Sequence, residues 1–488
     1  MLWRHLLGYL PVNIAQAVAG FGSIFLLTRL LSPADYGRYG LAFAVMTIFH
    51  TLLFTWLEGA TARFYARAEA EGTLKDHMAN AYGTLAIMAV AGLVIGFLCI
   101  SFLPLSADFK TILAFALSAA IVRAGLNLTL QARRAAREVA RYSLIEFFHI
   151  TAGFSLGILL VMTTDLRAAG PFVGMLVAAG VALMVDLPLM LKRSKGGKHT
   201  LAQVKTFAAY GIPISLYLVL ALAMSSADRF LIAAYLDTAS VGVYTAGYGL
   251  ANRTLDVIFI WAGMAAAPLT IAALEHSGLA DARAMARKAF GFMALLTFPA
   301  ATGLALVATP LAAVMTGPAF RDQAAQIIPW IALAGVMNGI MTYYLNEAFT
   351  LSKRTGMMAA VMTFPALLNI VLNMILLPRL GLQGAVIATV LAYGAGVSLS
   401  ALVGRRYFPL PLPFAAAAKT LLACAIMAGG VWLVPWPSSW PDFALLIGKA
   451  GLGMALYGGA ALALNLADSR DYLTRIAQRL RKKDVVTI

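Results

Sequence analysis

Inside one apolar stretch, polar side chains recur every four residues at Arg123, Asn127 and Gln131. A spacing of four places side chains on one face of an α-helix, so the stretch predicts a helix with a polar stripe. A guanidinium group presents a rigid fork of donors that matches phosphate oxygens, and side-chain amides bind hydroxyl groups. The stripe is therefore suited to bind an anionic or polar group.

A second stripe has the same spacing and carries an arginine beside it: Tyr244, Tyr248, Asn252, Arg253 and Asp256. Arg253 lies within i,i+3 reach of Asp256, which leaves two interpretations open. Arg123 and Arg253 either bind a ligand or are neutralised by carboxylates that hold helices together. Arg229 is a third deep cation with the same two interpretations.

Several titratable residues lie in apolar stretches and are candidates for coupling to H⁺ or Na⁺: His50, Glu58, Asp256 and Glu347. Glu146 and Asp186 lie nearer to segment ends, where we expect them to balance basic loops. The sequence contains no metal-ligand spacing, nucleotide-binding loop or Ser/His/Asp pattern, so we predict no metal, no cofactor and no enzyme activity.

The elements that position these residues are predicted to span a membrane. The chain of 488 residues is 61% hydrophobic and 12% charged, with a mean hydropathy of +0.83. That leaves too little polar surface for a soluble globule. Because a spanning helix needs about 20 apolar residues, we predict about 14 spans and an all-α polytopic fold.

The predicted spans cover about 8–31, 39–62, 80–103, 111–131, 143–163, 171–191, 207–235, 242–270, 290–315, 326–350, 357–377, 384–403, 415–434 and 442–466. A charge in the middle of such a span costs about 2.5–3.5 kcal/mol, so we expect Arg123, Arg229 and Arg253 to face a cavity or a partner rather than lipid.

The distribution of basic residues predicts the orientation. Of 37 Lys and Arg residues, 26 fall in alternate gaps between the spans, and six lie in the other gaps. Positive charge stays on the cytoplasmic side, so both termini are predicted to be cytoplasmic. This pattern accounts for the net charge of +16 without nucleic acid. The basic tail either contacts anionic lipids or is a solvated topology signal.

An internal repeat relates two parts of the chain. FLLTRLLSPADYGRYGLAFAV from Phe25 aligns without gaps to FLIAAYLDTASVGVYTAGYGL from Phe230, 205 residues later. Six spans separate the copies, so both copies cross the membrane in the same direction. Parallel repeats of this kind are typical of transporters with a central site.

Three stretches resemble signature sequences of the Wzx-type polysaccharide flippases of the multidrug, oligosaccharidyl-lipid and polysaccharide (MOP) exporter superfamily. They are TRLLSPADYGRYGLA at Thr28–Ala42, SSADRFLIAAYLDTASVGVYTAGYGLA at Ser225–Ala251, and LPRLGLQGAVIATVLAY at Leu377–Tyr393. The resemblance extends to the 6 + 6 + 2 arrangement of spans. It implies two six-helix lobes around a central cavity, followed by two C-terminal helices.

The corresponding domains are lobes at 1–195 and 207–404, a cytoplasmic linker at 196–206, two further helices at 405–466, and a basic tail at 467–488. The resemblance further implies a bacterial inner-membrane protein whose cargo is oligosaccharide on undecaprenyl pyrophosphate, moved outward by alternating access. The partners that it implies include polysaccharide polymerase and export proteins.

Two other classes of protein are compatible with parts of this pattern. A cation-coupled drug antiporter of the same superfamily would share the architecture, but it is expected to carry an excess of acidic cavity residues, and the arginines favour an anionic cargo. A membrane glycan polymerase or ligase needs a long outer loop for catalytic groups. The outer gaps here are about ten residues or shorter, which argues against that enzyme.

Overall fold

The computed structural model describes residues 2–352, 354–471 and 474, and all regular structure in these residues is helical. Most of the predicted basic tail therefore lies outside the described residues, as do the side chains of 2–9, 264–267 and 355. In the described chain, 14 helices are long and apolar enough to cross a membrane, which confirms the predicted number and positions of the spans.

The α-helices, numbered in chain order, run as follows: α1 Leu2–Leu30, α2 Pro33–His50, α3 Trp56–Ala70, α4 Leu74–Phe102, α5 Ala107–Ala135, α6 Val139–Thr163, α7 Gly170–Ser194, α8 Leu201–Tyr235, α9 Thr238–Ser277, α10 Leu279–Leu306, α11 Ala308–Met315, α12 Arg321–Ile340, α13 Glu347–Leu351, α14 Thr355–Leu380, α15 Leu382–Tyr407, α16 Phe414–Leu433 and α17 Asp442–Ala463. The chain divides into two compact units, Met1–Thr245 and Ala246–Ile488. The lobe and linker boundaries expected from the sequence stay predictions.

Two spans change their helical pitch part of the way along. Thr51–Thr55 forms a π-helical turn between α2 and α3, and Met341–Leu345 forms another between α12 and α13. A π-helical turn adds a residue to the helical turn, and such turns are frequent at functional sites. Both turns lie next to titratable residues predicted above, since His50 precedes the first turn and Glu347 follows the second.

Helices α6 and α7 pack through glycines. A Cβ atom added to Gly174 would lie 2.4 Å from the Gly157 nitrogen and 2.5 Å from the Gly153 carbonyl oxygen. Gly153 and Gly157 are four residues apart, as are Gly170 and Gly174, so both helices present a small-xxx-small face. In a membrane, where there is no hydrophobic effect between helices, close backbone contact of this kind provides the packing energy.

We expect Gly174→Ala to lower the free energy of unfolding by about 1–3 kcal/mol, because the added methyl group meets backbone atoms that cannot move aside. Gly180→Ala is the matched control on the same helix, because nothing lies within 4 Å of a Cβ atom there. Thermal unfolding in detergent measures both variants. Equal melting temperatures for the two variants would contradict the packing described for α6 and α7.

The internal repeat appears in the first unit as a reciprocal contact. A Cβ atom on Gly37 would lie 1.8 Å from the Thr238 carbonyl oxygen, and one on Gly242 would lie 2.1 Å from the Pro33 carbonyl oxygen. Pro33 and Thr238 are equivalent under the 205-residue offset, as are Gly37 and Gly242. Each copy therefore makes the same contact with the other, which is the arrangement that a local two-fold axis produces.

The core of the second unit contains Tyr344 from the second π-helical turn, which packs against Phe290 of α10 with ring centroids 5.0 Å apart. The Tyr344 hydroxyl donates to the Pro411 carbonyl, and Phe408 and Leu410 fill the same cluster. These contacts anchor the π-helical turn to the segment that follows α15.

An ion-pair cluster ties together α5, α6 and α7 of the first unit. Arg133 and Asp186 are almost fully buried, and Arg133 Nε donates to Asp186 Oδ2 at 2.7 Å. Glu138, in the α5–α6 turn, accepts from both Arg133 and Arg193. The turn places Glu138 there by holding Arg137 at a φ of +61°. Asp186 was expected to balance a basic loop, and it does so by pairing with Arg133 and Arg141, two of the arginines that the sequence places between the fourth and fifth spans.

The pKa of Glu138 gives this cluster a pH dependence. Burial alone would raise that pKa, but the hydrogen bonds and charges of Arg193 and Arg133 outweigh burial and hold it below the usual 4.5. The ionised carboxylate therefore stabilises the fold at pH values above about 4.5, and this contribution is lost as the pH falls through the lower pKa of the folded state.

We expect the difference in melting temperature between the wild type and Glu138→Gln to be largest at neutral pH and to shrink below pH 4.5. A difference that stays constant between pH 7 and 3 would contradict this.

Candidate functional site

The first part of the candidate site joins α5 to α6. Arg123 Nη1 lies 2.8 Å from His149 Nδ1, and Arg123 Nη2 donates to Glu146 Oε1 at 3.2 Å. Glu146 and His149 are buried, whereas 28% of the Arg123 side chain is exposed. The same Nη1 atom lies 3.1 Å from His149 Nε2. Because a guanidinium group can only donate and a neutral imidazole accepts at one ring nitrogen, His149 accepts from Arg123 through one of these two atoms. Glu146 was expected to balance a basic loop; instead it pairs with Arg123 inside the spans.

The second part of the site lies at the first π-helical turn. His50 Nε2 is 3.0 Å from Glu58 Oε1, which is an ion-pair distance although the two groups are not aligned as a hydrogen bond. His50 Nδ1 lies 3.3 Å from the Ala120 carbonyl oxygen, and Asn127 Nδ2 lies 3.4 Å from His50 Nε2. We call these residues, together with Arg123, Glu146 and His149, the inner polar cluster.

His50 and Glu58, on either side of the first π-helical turn, lie in contact. The Ala120 carbonyl oxygen can only accept, so the His50 Nδ1 atom that faces it is placed as a donor. On the other side of the ring, Nε2 faces Glu58 Oε1 and the Asn127 amide nitrogen, which can donate to it. The arrangement places two titratable groups side by side within a span.

Two further predicted residues of the first unit lie apart from these contacts. Gln131 is half-buried on α5, one turn beyond Asn127. Arg229, near the end of α8, donates to the Ser225 carbonyl at 2.8 Å and to the Thr245 hydroxyl at 3.3 Å.

The predicted stripe of the second unit lies on α9. Asn252 Nδ2 donates to Asp256 Oδ2 at 2.5 Å, and Arg253 interacts electrostatically with Asp256. Tyr248 is buried. In the described structure the half-buried Arg253 side chain forms no hydrogen bond. Its donors are therefore available, whereas those of Arg123 already serve His149 and Glu146.

Glu347 follows the second π-helical turn, and its Oε2 atom is enclosed without a hydrogen-bond partner in the part of the chain that the structure describes. Neighbouring polar groups bond to each other instead. Thr342 donates to Asn338 at 3.2 Å, and Ser400 donates to Asn346 at 3.2 Å. A buried carboxyl oxygen without a partner needs an explanation, and a bound proton or cation supplies one.

Sequence reasoning therefore placed Arg123, Asn127 and His50 in the spans but missed Glu146 and His149 as partners of Arg123. Glu146 and His149 are three residues apart and share a helical face, which was a signal that the sequence contained. Among the described residues, no group of three or more His, Cys, Asp or Glu side chains is arranged to hold a metal ion. What the arrangement can do is present guanidinium groups and exchange protons within the spans.

Comparison with solved structures defines the class of fold. The fold is similar to that of the lipid II flippase MurJ in an inward closed conformation, with a TM-score of 0.77 and 14% identity over 96% of this chain and 100% of that chain. It is also similar to an inward-facing MATE multidrug resistance transporter, with a TM-score of 0.65 and 14% identity over 80% of this chain and 94% of that one. A MOP-superfamily transporter from Pyrococcus furiosus matches with a TM-score of 0.52 and 15% identity over 82% of this chain and 93% of that chain. The chain has the fold of the MOP superfamily.

The sequence itself defines the family. Residues 26–325 match the family described as "Polysaccharide biosynthesis protein", and the chain belongs to this family. The family resemblance is thereby confirmed, and two of the three signature stretches, Thr28–Ala42 and Ser225–Ala251, lie within the matched residues. The all-α fold with 14 candidate spans is also confirmed. No curated protein sequence gives a significant match.

Proposed function

We propose that the protein is a flippase that moves undecaprenyl-pyrophosphate-linked oligosaccharide from the cytoplasmic to the periplasmic leaflet of the bacterial inner membrane. It would act by alternating access, with both termini in the cytoplasm, and supply polysaccharide polymerase or export proteins. The observation that carries the proposal is the family match together with arginines in the spans of both units. A family of polysaccharide biosynthesis proteins with a transporter fold needs a membrane-crossing step for a glycan.

Arg253 is the residue that we assign to the pyrophosphate. Its guanidinium group is half-buried in a span, forms no hydrogen bond in the described structure and presents the fork of donors that matches phosphate oxygens. Arg229 is assigned the same role, because it is a further guanidinium group within the spans. Tyr248, Asn252, Asn127 and Gln131 would meet sugar hydroxyls.

Four titratable residues of the spans are assigned to ion coupling. His50 Nε2 and Glu58 Oε1 lie 3.0 Å apart, within reach of one shared proton, and Glu347 has a buried oxygen without a partner among the described residues. Asp256 is the fourth candidate. A proton bound between His50 and Glu58 would hold the two groups together, and its release would leave two acceptors facing each other, which favours a rearrangement of the first π-helical turn. H⁺ is therefore our first choice of ion, with Na⁺ as the alternative.

A second candidate is a cation-coupled small-molecule antiporter. Two observations favour it: the Glu347 oxygen has no partner among the described residues, and the fold is similar to that of MATE transporters. Analysis of lipid-linked intermediates in a deletion strain separates the two candidates. We expect undecaprenyl-linked glycan to accumulate on the cytoplasmic face of the membrane and to disappear when the gene is restored. Normal glycolipid levels combined with altered drug tolerance would overturn the flippase proposal in favour of the antiporter.

A further inference from the structure

Two cavities of opposite character meet at Arg38 in the first unit. One is polar, has a volume of 380 Å³ and is lined by the charged residues of three helix ends. The other is mainly apolar and has a volume of 510 Å³. Arg38 lies in the wall of both cavities, and its Nη1 atom is 2.8 Å from Asp35 Oδ1. A single amphiphilic molecule could therefore occupy both cavities at once, with its charged part at Arg38.

The apolar cavity fits one aliphatic chain. Its walls come from α2, α4, α5 and α8 and include Leu41, Val45, Leu113 and Phe230. A methylene group has a volume close to that of a water molecule, ~30 Å³, so 510 Å³ accommodates about 17 methylene groups. That is the length of one acyl chain of a phospholipid. Cys99 lines the same cavity and is exposed.

The polar cavity carries charges of both signs. Asp35, Asp108 and Asp165 contribute carboxylates, and Arg38 and Arg167 contribute guanidinium groups. In the part of the chain that the structure describes, the side chains of Asp108, Asp165 and Arg167 form no hydrogen bond or ion pair. Arg167 is held at a φ of +42°, a strained conformation for a residue with a side chain and one that is often found at ligand clamps.

We propose that the two cavities bind one zwitterionic phospholipid with a primary-amine headgroup of the ethanolamine type. The phosphate lies at Arg38 and Arg167, the ammonium group donates to Asp108 and Asp165, and one acyl chain fills the apolar cavity. Arg38 has five donors, so it can hold a phosphate and keep its bond to Asp35. Charge complementarity selects this occupant, because each end of a zwitterion meets the opposite charge.

Other membrane lipids fit these charges less well. An anionic glycerol headgroup would satisfy the two guanidinium groups but leave Asp108 and Asp165 facing negative charge. A choline headgroup has no N–H to donate to the carboxylates. A pyrophosphate carrier brings more negative charge without an ammonium group, so this site differs from the one assigned to the cargo. The lipid site therefore goes beyond the proposed function and can be tested without measuring transport.

The test uses the full-length Cys424→Ala variant, in which Cys99 is the remaining thiol. The protein is placed in nanodiscs of phosphatidylethanolamine, phosphatidylglycerol or phosphatidylcholine, and maleimide labelling of Cys99 is followed with time. We expect labelling to be at least 5-fold slower in phosphatidylethanolamine, because the bound chain covers Cys99. Native mass spectrometry of protein extracted from a mixed membrane is expected to show one retained phosphatidylethanolamine.

Variants separate this site from general lipid contact. The double variant Asp108→Asn, Asp165→Asn should reduce the 5-fold preference to less than 2-fold, whereas Asp442→Asn, another exposed aspartate at a helix start, should leave it unchanged. Val45→Trp and Ala233→Phe each fill the apolar cavity and should abolish the retained lipid. Equal labelling rates in the three lipids, or retention of the lipid by both cavity-filling variants, would overturn the proposal.

Discussion

Alanine in place of Arg253 is expected to reduce glycolipid export by about 10- to 150-fold while protein amount and melting temperature stay at wild-type values. The range corresponds to the about 1.5–3 kcal/mol that a hydrogen bond to a charged group contributes. Stability is expected to hold because Arg253 forms no hydrogen bond in the described structure. Export is measured as surface polysaccharide, together with the level of its lipid-linked precursor.

The matched control is Arg405→Ala, which removes the same charge from an exposed position of the second unit. It should export normally. Arg253→Lys is expected to restore export only in part, because an ammonium group lacks the planar fork of donors that suits a phosphate. Wild-type export by Arg253→Ala would remove this residue from the site.

Alanine in place of Arg123 is expected to act first on stability, and the effect should be about 3 kcal/mol or more. Truncating one partner of a buried ion pair leaves the other charge uncompensated, and Glu146 is 5% exposed. Measured by thermal unfolding in detergent, Arg123→Ala should therefore unfold at a much lower temperature than Arg253→Ala. Export should also fall, since less folded protein reaches the membrane.

The double variant Arg123→Ala, Glu146→Gln separates the structural role of Arg123 from a role in binding. Removing both charges should restore most of the stability, because a neutral amide is less costly to bury than a lone carboxylate. If export then returns, Arg123 serves to hold α5 against α6. If stability returns and export stays low, Arg123 also binds the cargo. A single variant Arg123→Ala as stable as the wild type would show that the ion pair contributes little.

The spans were predictable because length and apolar composition decide whether a helix crosses a membrane, and each span carries that signal by itself. The polar stripe of Arg123 and Asn127 was predictable for the same reason, since periodicity describes one helix. The periodicity of one helix does not show which side chains of another helix will pair with its polar residues. Glu146 and Asp186 were both expected to balance basic loops. Asp186 does pair with the loop arginines Arg133 and Arg141, whereas packing of α5 against α6 places Glu146 beside Arg123 within the spans.

The contact between His50 and Glu58 was also beyond sequence reasoning, although both residues were predicted as titratable candidates. They are eight residues apart, and a regular helix would separate their side chains by two turns. The helical pitch changes between them, at Thr51–Thr55. That segment contains no proline or glycine from which an irregular helix could have been predicted. The π-helical turn is a property of the packed structure.

The mutual glycine contact of the two repeat copies has an evolutionary consequence. Gly37 touches the backbone of the second copy, and Gly242 touches the backbone of the first, so neither position can accept a larger residue without displacing main-chain atoms. After a duplication, most positions can diverge because a substitution changes the packing of only one copy. Here a substitution in either copy displaces backbone atoms of the other, so selection should keep both glycines after the surrounding sequences have diverged.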